Sequence, residues 1–381
     1  MSRSIIAASR VFSTVRIFNR SAFSVHHLSH TGQSKKLFKM ETRSSGERQM
    51  SSEEPRRFAK PDEVNYALRQ DMGQGYTRST IEISALGTKY NMVYGEWVPV
   101  DRSVEGCPVV ICIHGTPATE GAFRPIGSRI ASGGYRVLAV NFPGMGYTQI
   151  DPERKYDYSS SDKAELVKGF ITAMQLDSVA MVIGHSSGSH VVAELGADRA
   201  LEGILQSTCF LCGTGITPHK MQKLSTRIPY AASIIFRALY MPVIGWIVQF
   251  LCSKFIHYMG FRGRTTEAQV LSIYEAALLD FTAFARSVKR IAEKKLPVLL
   301  FFSLDDVVVE AELLQENIDI LGIPEADIKD YDVNGESELI YGDETLRRVV
   351  RFAKATHRLQ FTNPEKTTAE IVSLLDALGK S

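Results

Sequence analysis

The chain has 381 residues, of which 44% are hydrophobic, 9% aromatic and 23% charged, a profile that excludes a fibrous or wholly disordered protein. Lys and Arg number 44 against 42 Asp and Glu, for a net charge of +2. No chain-wide basic excess is left to attract phosphate backbones, so nucleic acid is not the natural partner. Five Cys are too few, and odd in number, for a disulfide scaffold; they read as mostly reduced thiols.

The near-neutral total conceals an asymmetry. Residues 1–40 carry seven basic side chains (Arg3, Arg10, Arg16, Arg20, Lys35, Lys36 and Lys39) and no acid, which leaves 37 basic against 42 acidic residues in the remainder. The leader is Ser-rich, and its apolar residues lie between spaced arginines that break every run long enough for a secretory signal. It resembles a mitochondrial presequence; the alternative is a basic disordered tail on a cytoplasmic protein. Residues 41–62 mix both charges with Ser and Pro and lack the apolar surface to order themselves, so they read as a linker. The folded domain is then expected over 63–381.

Within it, short apolar runs alternate with helical patterns, the signature of a mostly parallel, doubly wound α/β sheet. Antiparallel opening strands are expected at 79–86 and 90–97, and buried strands at 108–114, 135–142, 179–185, 203–208 and 297–303. A further strand-like run spans 348–352. Helical periodicity falls around 120–131, 162–174, 188–197, 266–294, 311–321 and 364–378. The stretch from about 212 to 292 is too long for one crossover helix and reads as an inserted helical cap over the carboxyl edge of the sheet.

The sharpest motif is Gly184-His185-Ser186-Ser187-Gly188, placed directly after an apolar run and directly before a helical pattern. A strained turn there would lift one hydroxyl above the sheet, and side chains at Gly184 or Gly188 would collide with neighbouring backbone. Ser186 is the candidate nucleophile; an unreactive Ser/Gly turn is the bland alternative. A serine alcohol needs an imidazole to take its proton and a carboxylate to orient that imidazole. Asp305 and Asp306 follow the apolar run 298–302 at a strand end. Asp306 is the preferred acid because it immediately precedes Val307-Val308-Val309, with Asp305 as a turn or capping residue; the two could exchange roles. Of nine His, His357 is the preferred base, because it follows a strand-like run and precedes a helix that opens at Pro364. The oxyanion needs two aimed N–H donors. His114-Gly115-Thr116-Pro117 follows a buried strand, and the donors would be the backbone N–H groups of Thr116 and Ser187, since Pro117 has none.

Together with Asn141-Phe142-Pro143-Gly144-Met145-Gly146, Ser303-Leu304-Asp305-Asp306 and Thr356-His357, these segments resemble the α/β-hydrolase superfamily from about residue 79 to the C-terminus. The chain most resembles the serine α/β hydrolases of nematodes. The resemblance implies the α/β-hydrolase fold, a cap, and a triad of Ser186, Asp306 and His357. Residues 325–344, acidic and Gly-containing, read as a surface insertion, and one of its acids, such as Asp332, is another possible partner for the base. In dehalogenating and epoxide-opening relatives the elbow nucleophile is a carboxylate. A serine there implies acyl chemistry: hydrolysis, or transfer, of an ester, thioester or amide through an acyl-Ser186 intermediate. The rival reading is a non-catalytic hydrolase-fold protein that binds an apolar ligand or a partner.

Residues 238–252, ALYMPVIGWIVQFLC, are too few and too broken by Pro242 and Gly245 to span a membrane. They read first as an apolar lid lining the pocket of a small, lipid-like acyl substrate, next as an interfacial membrane contact, and last as core. Cys209 and Cys212 have C-x-x-C spacing but leave a strand and lack a second pair, so no metal is implied. Phe142–Gly146 lacks the third glycine of a dinucleotide loop, and no cofactor is implied.

Overall fold

The computed structural model describes residues 72–100, 103–149, 156–219, 243–258 and 266–380, together with Ile234, Ile235, Ala238 and Met241. The expected leader and linker lie outside the described residues, as do residues 220–233 and 259–265 of the expected cap.

The first two strands, β1 (Tyr76–Ala85) and β2 (Thr88–Trp97), form the antiparallel hairpin expected at the start. Its two-residue turn is Leu86-Gly87, with φ of 54° and 73°, the positive values that match the twist of a tight hairpin. Seven more strands complete one sheet: β3 (Val109–Ile113), β4 (Arg136–Val140), β5 (Met181–His185), β6 (Thr208–Leu211), β7 (Val298–Ser303), β8 (Ile328–Tyr331) and β9 (Arg347–Phe352). Their order is β1-β2-β4-β3-β5-β6-β7-β9-β8, antiparallel through β2–β4 and parallel from there on.

Among the described residues, the longer helices that flank the sheet or belong to its insertions are α1 (Arg124–Ser132), α2 (Ser160–Ala173), α3 (Gly188–Ala197), α4 (Ile244–Tyr258), α5 (Thr266–Ala277), α6 (Phe281–Glu293), α7 (Ala311–Leu321) and α8 (Pro364–Leu378). The central strands are buried on both faces, so successive side chains enter opposite cores. Val109, Ile111 and Ile113 join residues of α2, α3, α6 and α7. Val110 and Cys112 join Ile126 and Ile130 of α1 and Ile371, Leu374 and Leu375 of α8. Full burial of each such aliphatic side chain stabilises the fold by about 1.5–3 kcal/mol.

β4 and β5 lie on opposite sides of β3, so the chain winds in opposite directions from that strand. Connections diverge there and open a crevice at the carboxyl ends of β3 and β5.

Four sequence expectations shift. The strand expected at 203–208 lies at Thr208–Leu211: Gly203 turns at φ +84°, and only the later residues reach register between β5 and β7. The helical pattern 266–294 is two helices, α5 and α6, because Asp280 turns its side chain to the Ala283 N–H at 2.9 Å and starts a new helix. That helix packs on α3, so 281–293 lies in the layer flanking the sheet and not over its edge, as a cap extending to about 292 would require. Finally, 325–344 is not only a surface insertion. Ile328 and Tyr331 turn inward from the edge strand β8, and the strand is too short and too charged to announce itself by alternation.

Candidate active site

β5 ends at His185, and Ser186 takes up φ +54°, a left-handed conformation that costs a non-glycine residue on the order of 1–3 kcal/mol. The turn is held on both sides: the Ser186 N–H donates to the Leu211 carbonyl at 3.1 Å, and the Ser189 N–H donates to the Ser186 carbonyl at 2.9 Å. Close approach explains the flanking glycines. A Cβ on Gly184 would stand 2.5 Å from Val192 Cγ2 and 2.6 Å from the Gly188 carbonyl oxygen, and one on Gly188 would stand 2.6 Å from the Ile113 carbonyl oxygen. The preceding loop presses in as closely, since a Cβ on Gly115 would meet Ser186 Cβ at 2.7 Å.

The loop after β9 carries His357 over this turn. Its Nε2 lies 2.9 Å from Ser186 Oγ, and its Nδ1 lies 2.7 Å from Asp306 Oδ2. The Asp306 side chain is fully buried and the imidazole nearly so. The other carboxylate oxygen of Asp306 accepts the Val308 and Val309 N–H groups at 2.8 and 3.1 Å, which fixes the acid while it faces the ring. An acceptor at Nδ1 directs the ring proton there and leaves Nε2 free to take a proton from the Ser186 hydroxyl. Asp332, by contrast, accepts the N–H groups of Asn334 and Glu336 at its own turn. It is a turn residue and not a partner of His357.

A family described as Alpha/beta hydrolase of unknown function (DUF1057) matches residues 80–375. The chain belongs to this family. A haloalkane dehalogenase of Mycobacterium marinum is 30% identical over 129 residues, 33% of this hydrolase and 41% of that enzyme, so the match spans well under two thirds of the relative. Among solved structures, a bacterial membrane phospholipase A superposes with a TM-score of 0.53 at 19% identity, covering 84% of this chain and 90% of that one. A lipase-like protein of Acinetobacter baumannii gives 0.56 at 15% identity, covering 84% and 95%. At such identities the likeness is one of fold.

Several residues of this hydrolase do work that the sequence did not assign to them. Asp305 is more than a capping residue: its Oδ1 accepts the Ala355 and Thr356 N–H groups at 2.9 and 2.7 Å and the Ser303 hydroxyl at 2.5 Å. Burial would raise its pKa, but these hydrogen bonds together outweigh burial and hold the carboxyl below its usual range. His185, the variable residue of the elbow, places Nε2 3.0 Å from the His357 carbonyl. Burial pushes its pKa down to about 3, helped by the neighbouring His357; it is a neutral imidazole whose Nε2–H donates to that carbonyl. A histidine beside the nucleophile was the only signal of this role.

The expected oxyanion donors differ from each other. The Thr116 N–H donates to Ser187 Oγ at 3.1 Å, so the hydroxyl beside the nucleophile occupies the first donor. His114 braces the loop: the Phe142 N–H donates to its Nε2 at 3.3 Å, and its Nδ1 therefore donates to the Gly115 carbonyl at 2.8 Å. Asn141 accepts the Glu120 N–H at 3.0 Å. Cys209 and Cys212 are core residues whose thiol pKa values burial pushes up. Among the described residues, no group of His, Cys, Asp and Glu is placed to hold a metal ion.

Proposed function

We propose that this α/β hydrolase is a serine esterase, acting on an apolar, lipid-like acyl substrate through an acyl-Ser186 intermediate. The observation that carries the reading is the unbroken relay from Ser186 Oγ through both ring nitrogens of His357 to Asp306. Ser186 Oγ attacks the substrate carbonyl while His357 Nε2 takes its proton, and Asp306 stabilises the imidazolium. The backbone N–H of Ser187 receives the developing oxyanion, joined by that of Thr116 once the Ser187 hydroxyl turns away. His357 then returns the proton to the leaving alcohol as the acyl C–O bond breaks. Water, deprotonated in turn by His357, releases the acid and restores Ser186.

The serine also argues against the reaction named for the dehalogenase relative. A carboxylate that displaces halide forms an alkyl ester that water can open at its carbonyl. A serine would form an alkyl ether with no carbonyl to attack, and turnover would stop. The lipid-like substrate rests on the apolar composition of residues 238–252, in the insertion that leaves β6 at the site's edge of the sheet; Ile244, Trp246, Ile247, Phe250 and Leu251 there are exposed, so they offer a face to a lipid phase and are not the closed pocket lining expected from the sequence.

Labelling of the full chain with a fluorophosphonate probe tests the nucleophile. Labelling should be lost in both Ser186→Ala and His357→Ala, and retention in Ser186→Ala would refute it. Long-chain acyl esters should be turned over better than acetyl esters; the reverse order would refute the apolar substrate.

A further inference from the structure

We infer that α4, with the insertion that carries it, docks on an anionic phospholipid surface. Five side chains of the helix are exposed although apolar: Ile244 at 46%, Trp246 at 66%, Ile247 at 42%, Phe250 at 55% and Leu251 at 60%. At 3.6 residues per turn they fall within an arc of about 160°. The opposite side holds Gly245, buried, and Val248 and Cys252, half-buried. Over the described side chains of residues 244–254 the helix is therefore attached by its narrower side and turns its broad apolar face outward, the inverse of a helix whose only task is to cover a core. Met241 and Val243, exposed at 51% and 76%, continue the patch ahead of the helix.

Charge identifies the occupant. Between residues 203 and 266 the chain has seven basic side chains, Lys254 among them, and no acid; outside this segment and the first forty residues it carries 30 basic and 42 acidic side chains. Lys254 lies on the exposed arc with Nζ 5.5 Å from the Phe250 ring centroid, placed to hold its ammonium at headgroup level while its stem follows the apolar face. A Trp beside aliphatic residues, edged by the Lys254 ammonium, suits an interface of acyl chains and anionic headgroups. Like charge opposes the two other occupants at hand: the same face of a second copy, and the acid-free basic leader of this chain. No helix among the described residues is long and apolar enough to cross a membrane, so α4 lies on the surface. The insertion leaves β6 at Cys212, whose Sγ donates to the Thr356 carbonyl at 3.8 Å, next to His357. The insertion that carries α4 thus starts beside the loop that delivers His357.

Binding does not depend on catalysis, so the test uses the full chain bearing Ser186→Ala, with vesicles of phosphatidylcholine alone or with about a third phosphatidylserine. Sedimentation with the mixed vesicles should be about tenfold stronger or more and should weaken as salt rises. Tryptophan emission should shift to the blue, a change that reports Trp246, since the only other tryptophan, Trp97, is fully buried. The added substitutions Trp246→Ser, Phe250→Ser and Leu251→Ser, all at exposed positions, should abolish both effects while the circular dichroism is unchanged. Three results would overturn the inference: no sedimentation of the folded chain, vesicle binding that survives the triple substitution and so belongs to another basic segment, or a lipid-free dimer that the triple substitution dissociates.

Discussion

Asp305 and Asp306, adjacent in sequence, hold two parts of one loop: Asp306 accepts from the His357 ring, and Asp305 accepts the backbone N–H groups of Ala355 and Thr356 just before it. One acid orients the imidazole and the other fixes the chain that delivers it. Replacing Asp306 with Asn would keep the volume but present a donor to Nδ1, so kcat should fall by about 10³–10⁴ with the fold retained.

Asp305→Asn should act differently. It weakens the charge-assisted bonds that anchor the loop, at a cost of about 1–3 kcal/mol in unfolding free energy, and lowers kcat by no more than about tenfold because the triad groups all remain. Denaturant melts and ester kinetics on the two variants separate these roles; equal kcat losses would contradict the division.

The Ser187 hydroxyl accepts the N–H of Thr116, a donor that the oxyanion also requires. Ser187→Ala removes the competitor and preserves the backbone N–H of residue 187. The expected result is a kcat unchanged or raised severalfold; a loss of a hundredfold, of the size seen when an oxyanion donor is deleted, would mean that the hydroxyl itself serves the transition state.

Two buried imidazoles make the fold sensitive to acid. Burial pushes the pKa values of His185 and His190 down to about 3, far below the value of about 6.5 in an unfolded chain. Between these values the unfolded state binds protons that the folded state refuses. Their stabilisation is complete above about pH 6.5 and is lost as pH falls toward 3, at about 1.4 kcal/mol per pH unit for each. His190 stacks on Phe284 with ring centroids 4.4 Å apart, so His190→Phe keeps an aromatic ring at the stack. Urea melts at pH 7 and pH 5 should show a smaller loss for this variant than for the parent.

At the elbow, Gly188→Ala would place a methyl group 2.6 Å from the Ile113 carbonyl oxygen, a backbone atom that moves only if β3 moves. A loss of about 1–3 kcal/mol is expected, with Ser186 displaced and fluorophosphonate labelling slowed. An unchanged melting curve would contradict the model of a close-packed turn.

The elements that could be read in advance are those whose signal is local. The apolar runs at β3, β5 and β7 are continuous because both faces of each strand are covered, and the spacing of Gly184, Ser186 and Gly188 reflects contacts made within one turn. β8 was not legible: four residues at a sheet edge, two of them charged and one of those, Lys329, turned in to pair with the buried Glu370, carry no periodicity that separates them from a loop. The break at Asp280 was equally hidden, since apolar spacing runs on through both α5 and α6 and only the Asp280 side chain, capping the Ala283 N–H, divides them.

By itself the sequence determined the alternation of strands and helices, the strained turn at Ser186 and the charge asymmetry of the chain, because each depends on neighbours a few residues apart. Only the tertiary structure decided which acid faces His357, that Asp305 and His185 anchor its loop, that Ser187 occupies the Thr116 N–H, and that α4 turns its apolar face outward. The physical reason is separation along the chain. His357 lies 171 positions from Ser186 and 51 from Asp306, and contacts at such distances are set by the register of parallel strands, which places loops side by side with no trace in the residues between them.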